Sequence, residues 1–158
     1  MVKLTRLRMD FTLLLALLGG QAVHAAAPAG AAVFAAHCAV CHGQDALGVA
    51  GSFPPLKGQV TAFAKLPAGR DYLVTAVSGG LIGSVQVAGE TYTGAMPAQN
   101  MLSEAEVAAV LSFLASDGGK AKTGVQAFDV KEIVAIRSRH PGVAGAAALA
   151  LRPSLPGT

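Results

Sequence analysis

Cys38-Ala39-Val40-Cys41-His42 holds both cysteines of this 158-residue chain and one of its four histidines within five positions. Two thiols at this spacing have three outlets: a disulfide, half of a zinc site, or a pair of thioethers to a porphyrin. A thioredoxin-like pair follows a strand in a βαβ pattern. Here the motif follows an Ala-rich stretch from about Ala29, where Gly30, Phe34, Cys38 and Cys41 recur on one helical face. Structural zinc wants four Cys or His ligands. Beyond His42 the candidates are His37, which points elsewhere on that helix, and His140, far along the chain.

The third outlet asks for what is present: two thiols spaced for two vinyl groups, and a histidine directly after the second to bind iron. The N-terminus supplies the compartment. Lys3, Arg6 and Arg8 precede an apolar run from Phe11 to Leu18, followed by Gly-Gly and Val-His-Ala before Ala26. This order is that of a secretory signal peptide cut near Ala25-Ala26. The run is too short for the ~20 residues a membrane anchor needs, so the mature chain is expected to have no membrane span and to work in the periplasm or another exported, oxidising space. The expected division is 1–25 signal peptide, 26–117 haem domain, and 118–158 a basic, partly disordered extension.

Charge divides along the same line. Of the formal +3, the leader contributes +2. Residues 26–116 set three cations, Lys57, Lys65 and Arg70, against Asp45, Asp71, Glu90, Glu104 and Glu106, a net −2. Residues 117–158 carry six cations against three carboxylates, a net +3. The cations are sparse and no groove-reading motif accompanies them, which argues against nucleic acid as a partner.

From Gly43 to Gly58 glycines and Pro54-Pro55 predict a loop. A short helix is expected around Arg70 to Val77, and 84–93 alternates about Ala88-Gly89 as a small hairpin. The best specified element is the helix from Ser103 to about Ser116. Ser103 and Glu106 form a capping box, with Leu102 and Val107 at the staple positions. Val107, Val110, Leu111 and Leu114 make its apolar stripe, read as core packing. Val125 to Arg137 predicts a further short helix against the core, and Pro141 to Thr158, rich in Ala, Gly and Pro, a loose end.

Iron held by His42 needs a second axial ligand, and past the leader the methionines are Met96 and Met101. Met96 lies in Thr91-Tyr92-Thr93-Gly94-Ala95-Met96-Pro97, read as a rigid loop ahead of the capped helix. Met101 sits at the helix mouth beside Leu102. Met96 is the better candidate, given the His/Met ligation of cytochromes c.

Over residues 28 to 117 the chain resembles a class I c-type cytochrome: Gly30 and Phe34 before C-A-V-C-H, then Pro54-Pro55-Leu56 with Gly58, then Met96-Pro97, then a terminal amphipathic helix. The resemblance implies an all-α fold, a small helical domain with a short hairpin around one covalent haem c, attached through Cys38 and Cys41 and ligated by His42 and Met96. It also implies that the Pro54 carbonyl accepts the proton-bearing nitrogen of His42, and that Gly30 and Phe34 pack across the last helix near Val110 and Phe113. F-P-P-L-K-G, Y-T-G-A-M-P and L-S-E-A-E-V are similar to single-haem subunits accompanying periplasmic dehydrogenases or terminal reductases.

With both axial positions filled, substrate has no place on the iron. The expected function is one-electron transfer between redox partner proteins, with no catalytic residue. The pocket is expected to be built from Phe34, Leu56, Val110 and Leu114. Two alternatives are a fixed subunit of a dehydrogenase or reductase complex, with the tail as its interaction segment, and a haem enzyme with a displaceable Met96; within the tail, Lys131, Arg137 and Arg139 are expected either to dock an acidic partner or to cover one side of the haem domain.

Overall fold

A computed structural model describes residues 29–118 and 123–155. The expected signal peptide lies outside the described residues. Helix α1, Gly30–His37, is followed after Cys38 by the single turn α2, Ala39–His42. The break is local: Cys38 N–H still reaches the Phe34 carbonyl, and His42 N–H reaches that of Cys38 at 3.0 Å. The expected continuous helix is thus interrupted at the first cysteine. Then come α3, Gln59–Ala64, which sequence reasoning missed, and α4, Pro67–Gly79, longer than expected because Pro67 starts it at N1.

Strands β1, Leu81–Val87, and β2, Glu90–Met96, form an antiparallel hairpin around Ala88 and Gly89, both with positive φ as a two-residue turn requires. The hairpin is longer than expected. Met96 consequently ends a strand, paired with Leu81, instead of standing in a loop.

Helix α5, Glu104–Ala115, begins as its capping box dictates: the Ser103 hydroxyl accepts from Glu106 N–H, and the Glu106 carboxylate accepts from Ser103 N–H at 2.9 Å. It crosses α1. A Cβ on Gly30 would collide with the Ala109 carbonyl oxygen and lie 2.6 Å from Phe113 Cβ, so only glycine lets the axes approach this closely. Phe34 fills the crossing beside Phe113, with ring centroids 5.8 Å apart. The core runs from this crossing through Val74, Val107, Val110 and Leu111, all essentially inaccessible to water.

Residues 123–155 complete that core. Helix α6, Val130–Arg139, buries Ile133 and Ile136 completely against the domain. Arg70 organises the approach: its guanidinium pairs with Glu132 at 2.5 and 2.6 Å, donates to the Gln126 carbonyl, and lies 3.7 Å above the Phe128 ring. Pro141 to Thr158 is not loose over 141–155. It forms α7, Gly145–Leu149, with Ala148 wholly buried and Leu155 nearly so. Ala-rich sequence misleads here because small side chains allow backbone to lie directly on backbone, a contact without a hydrophobic period.

The charge division has a structural use. Arg137 pairs with Glu104 at 2.7 Å and donates to Ser78 Oγ, while Arg139 and His140 both reach Asp71, at 2.5 and 3.0 Å. Burial alone would push the Asp71 carboxyl up, but hydrogen bonds from Arg139 and His140, with the Arg139 charge, hold it below its ordinary value. Arg137 and Arg139 therefore tie the chain to itself.

Candidate functional site

Between these elements lies a cavity of ≈ 390 Å³, within the range of cofactor pockets. Its first wall is the end of α1 and α2, which presents Cys38, Cys41 and His42, with His37 also at the lining. The two thiols are not joined in a disulfide. Burial, and then the neighbouring Cys41, pushes the Cys38 thiol up.

His42 is buried and fixed by the loop that follows it. Gly48 N–H bonds the His42 carbonyl at 2.8 Å, Val49 and Phe53 pair across a one-residue bridge, and the chain returns with the Pro54 carbonyl 2.9 Å from His42 Nδ1. A carbonyl can only accept, so Nδ1 carries the proton and Nε2 keeps its lone pair. Burial lowers the His42 pKa, with the Pro54 bond opposing it, a shift in the direction of the neutral ring that metal ligation requires.

The second wall is the hairpin. Its alternation turns Leu81, Gly83, Val85 and Val87 of β1, with Tyr92, Gly94 and Met96 of β2, to the cavity. Gly83 and Gly94 are direct partners, and a Cβ on Gly94 would meet nothing within 4 Å. Gly94 thus leaves bare backbone, whereas the space beside Gly83 is taken by Leu149, whose Cδ2 stands 2.7 Å from where a Cβ would be. Met96 lines the cavity, whereas Met101 is 69% exposed and is not part of the lining.

The remaining walls are apolar. Val110 and Leu114, expected in the pocket, come from α5 and face the cavity together with Leu111. Leu56, Val60, Phe63, Tyr72 and Leu73 add to it. Phe34, expected here, is taken up by the α1–α5 crossing. From the C-terminal segment come Leu149 and Arg152, neither legible in the sequence. The Arg152 guanidinium lies 5.0 Å from the Phe63 ring centroid and donates to the Gln86 carbonyl at 3.0 Å.

Two thiols and an imidazole at one wall, a thioether on another, and an apolar interior fit a planar porphyrin with a central metal. Residues 27–117 match the family model described as cytochrome c. The chain belongs to the cytochrome c family. It is 38% identical over 125 residues to a cytochrome c-552 of Thermus thermophilus, covering 78% of this chain and 82% of the relative. A second cytochrome c-552 of Thermus thermophilus is 38% identical over 112 residues, 70% of this chain and 85% of the relative.

The chain is accordingly a class I c-type cytochrome, an electron carrier and not an enzyme, with one covalent haem c to which the C-x-x-C-H spacing of Cys38, Cys41 and His42 corresponds. The helical fold with its small hairpin agrees with that membership. No helix among the described residues is long and apolar enough to cross a membrane.

Proposed function

We propose that this cytochrome is exported and shuttles single electrons between redox proteins, with its iron held by His42 Nε2 and Met96 Sδ. The observation that carries this is one cavity lined by Cys38, Cys41, His42 and Met96, with His42 Nδ1 already committed to Pro54. The bound haem supplies the one-electron centre. Cys38 and Cys41 fix its edge, Pro54 orients the imidazole and raises its basicity, and Val110, Leu111, Leu114 and the hairpin face exclude water. A thioether in apolar surroundings favours the reduced, less charged iron.

A diffusing carrier fits better than a fixed subunit, because Arg137 and Arg139 are engaged within the chain. The accessible surface beside the cysteines is apolar instead: Val40 is 87% exposed, and Leu47 and Val49 are more than half exposed. Such a face suits brief contact with an apolar patch on a donor or acceptor.

The test is mass spectrometry of exported protein together with a redox titration. The expected result is a chain beginning near Ala26 plus one acid-stable haem, titrating reversibly with one electron. Cys41→Ala should leave at most one thioether and little holoprotein. A free dithiol in matured protein would sink the assignment.

A further inference from the structure

Where the chain turns from α4 into β1, backbone lies on backbone with no side chain between. A Cβ on Gly79 would collide with the Val143 carbonyl oxygen and lie 2.9 Å from Ala144 Cα. A Cβ on Gly80 would lie 2.5 Å from the Met96 carbonyl oxygen and 2.8 Å from Ala98 N. Gly79 thus faces the C-terminal segment and Gly80 faces the residue carrying the thioether. Hydrogen bonds lock this arrangement. Gly145 N–H donates to the Gly80 carbonyl at 3.1 Å, and Gln99 N–H to that of Val77 at 2.8 Å. Leu81 is bridged on one side by Gly145 and paired on the other with Met96. Farther along, a Cβ on Gly83 would lie 2.7 Å from Leu149 Cδ2, so α7 also covers the hairpin at its glycine pair.

An isolated two-stranded hairpin is marginal in water. β1–β2 is the only sheet among the described residues, and α7 packs along β1. We propose that Val143–Leu149 acts as a backstop that positions Met96, setting how firmly its thioether stays on the metal. The inference rests on Met96 as axial ligand. Local opening of a strand is governed by the contacts that strand alone would lose. Removing the backstop therefore lets β2 open while α1, α5 and the His42 side remain folded.

The experiment uses the full-length holoprotein. Ala148→Asp puts a charge where no water reaches and displaces α7, while Ile133 and Ile136 keep α6 docked. Gly79→Ala forces the Val143 carbonyl away from the end of α4. Leu149→Ala is a milder variant that only trims the cover over Gly83, and Val134→Asp, on the exposed face of α6, is the control. Deuterium exchange at β2 amides, iron–sulfur charge-transfer absorption, and carbon monoxide affinity of the reduced protein are measured together. Expected are faster exchange across Glu90–Met96, a weakened band, and about a tenfold or greater rise in carbon monoxide affinity for Ala148→Asp and Gly79→Ala. Leu149→Ala should move the same way by less, and exchange in α1 and α5 should not change. Displaced α7 with unchanged β2 exchange, band and affinity would overturn the backstop. If the parent protein lacks a band that Met96→Ala removes, the ligand assignment fails. The β2 exchange rates then still decide whether the C-terminal segment holds the strand.

Discussion

His42 Nδ1 donates to the Pro54 carbonyl oxygen across 2.9 Å, and Gly48 is what leaves room for that carbonyl. A Cβ on Gly48, at φ +72, would collide first with the Phe53 carbonyl oxygen and would lie 2.7 Å from Pro54 C and 2.8 Å from Pro54 O. Gly48→Ala should therefore push the acceptor away from the ring. A less basic imidazole stabilises the oxidised iron less, so the midpoint potential should rise. One tenfold shift in the oxidised-to-reduced ratio is about 59 mV for one electron, and a change of this order is expected in an optical redox titration. An unaltered potential would mean that this bond orients the ring without tuning it.

The two methionines should separate cleanly. Met96→Ala should abolish the iron–sulfur charge-transfer band, lower the potential and admit cyanide to the oxidised protein. Met101 is largely exposed, and Met101→Leu should do none of these. The opposite pattern in the two spectra would transfer the ligand role to Met101.

The helix crossing predicts a stability effect unconnected with the iron. Gly30→Ala places a methyl against the Ala109 carbonyl and Phe113 Cβ. Overpacking of this kind costs about 1–3 kcal/mol, and thermal denaturation should show it as a lower midpoint with an unchanged visible spectrum. An undiminished midpoint would show that α1 can slide along α5 without loss.

Asp71 anchors the end of α6 through Arg139 and His140, and its carboxyl is held below its ordinary value of 3.8. A depressed carboxylate stabilises the fold above the unfolded value, and that stability is lost as pH falls through the folded one. Asp71→Asn should cost about 1 kcal/mol near neutral pH. The gap from the parent should begin to narrow as pH drops to about 3.8 and close only once pH has fallen through the lower folded value, where the Asp71 carboxyl is neutral in both folded and unfolded chains. A gap that stays constant in acid would point to packing instead of charge.

The same contacts change what reversing Arg137 and Arg139 should do. With Glu104 and Asp71 as their partners, reversal should lower the melting temperature. Electron-transfer rates at low salt should stay close to the parent's. A slower rate with an unchanged melting temperature would restore them as docking cations.

Some of this molecule is written locally. C-A-V-C-H needs only five consecutive residues to bring two thiols and an imidazole to one helix end, and Ser103 with Glu106 sets the start of α5 within one turn. The hairpin's two-residue turn is likewise local, and so is visible in sequence.

Other features depend on contacts between distant segments. The register that pairs Leu81 with Met96 made a strand of what read as a loop, because the pairing extends past the alternating residues as long as hydrogen-bonding partners remain. The Val110, Leu111 and Leu114 stripe reads as core whether it meets protein or cofactor, since hydrophobic periodicity does not say what covers it. The C-terminal segment was the least legible. Gly79 and Gly80 against Val143–Gly145 and Met96 form a contact of backbone with backbone, which carries no side-chain period. Five consecutive residues carry the two thiols and the imidazole of a haem c attachment motif. Tertiary packing decided which segments form the walls around it, because those walls join residues as far apart in the chain as Cys38 and Arg152, and the backbone contacts that bring them together have smallness as their only local signature.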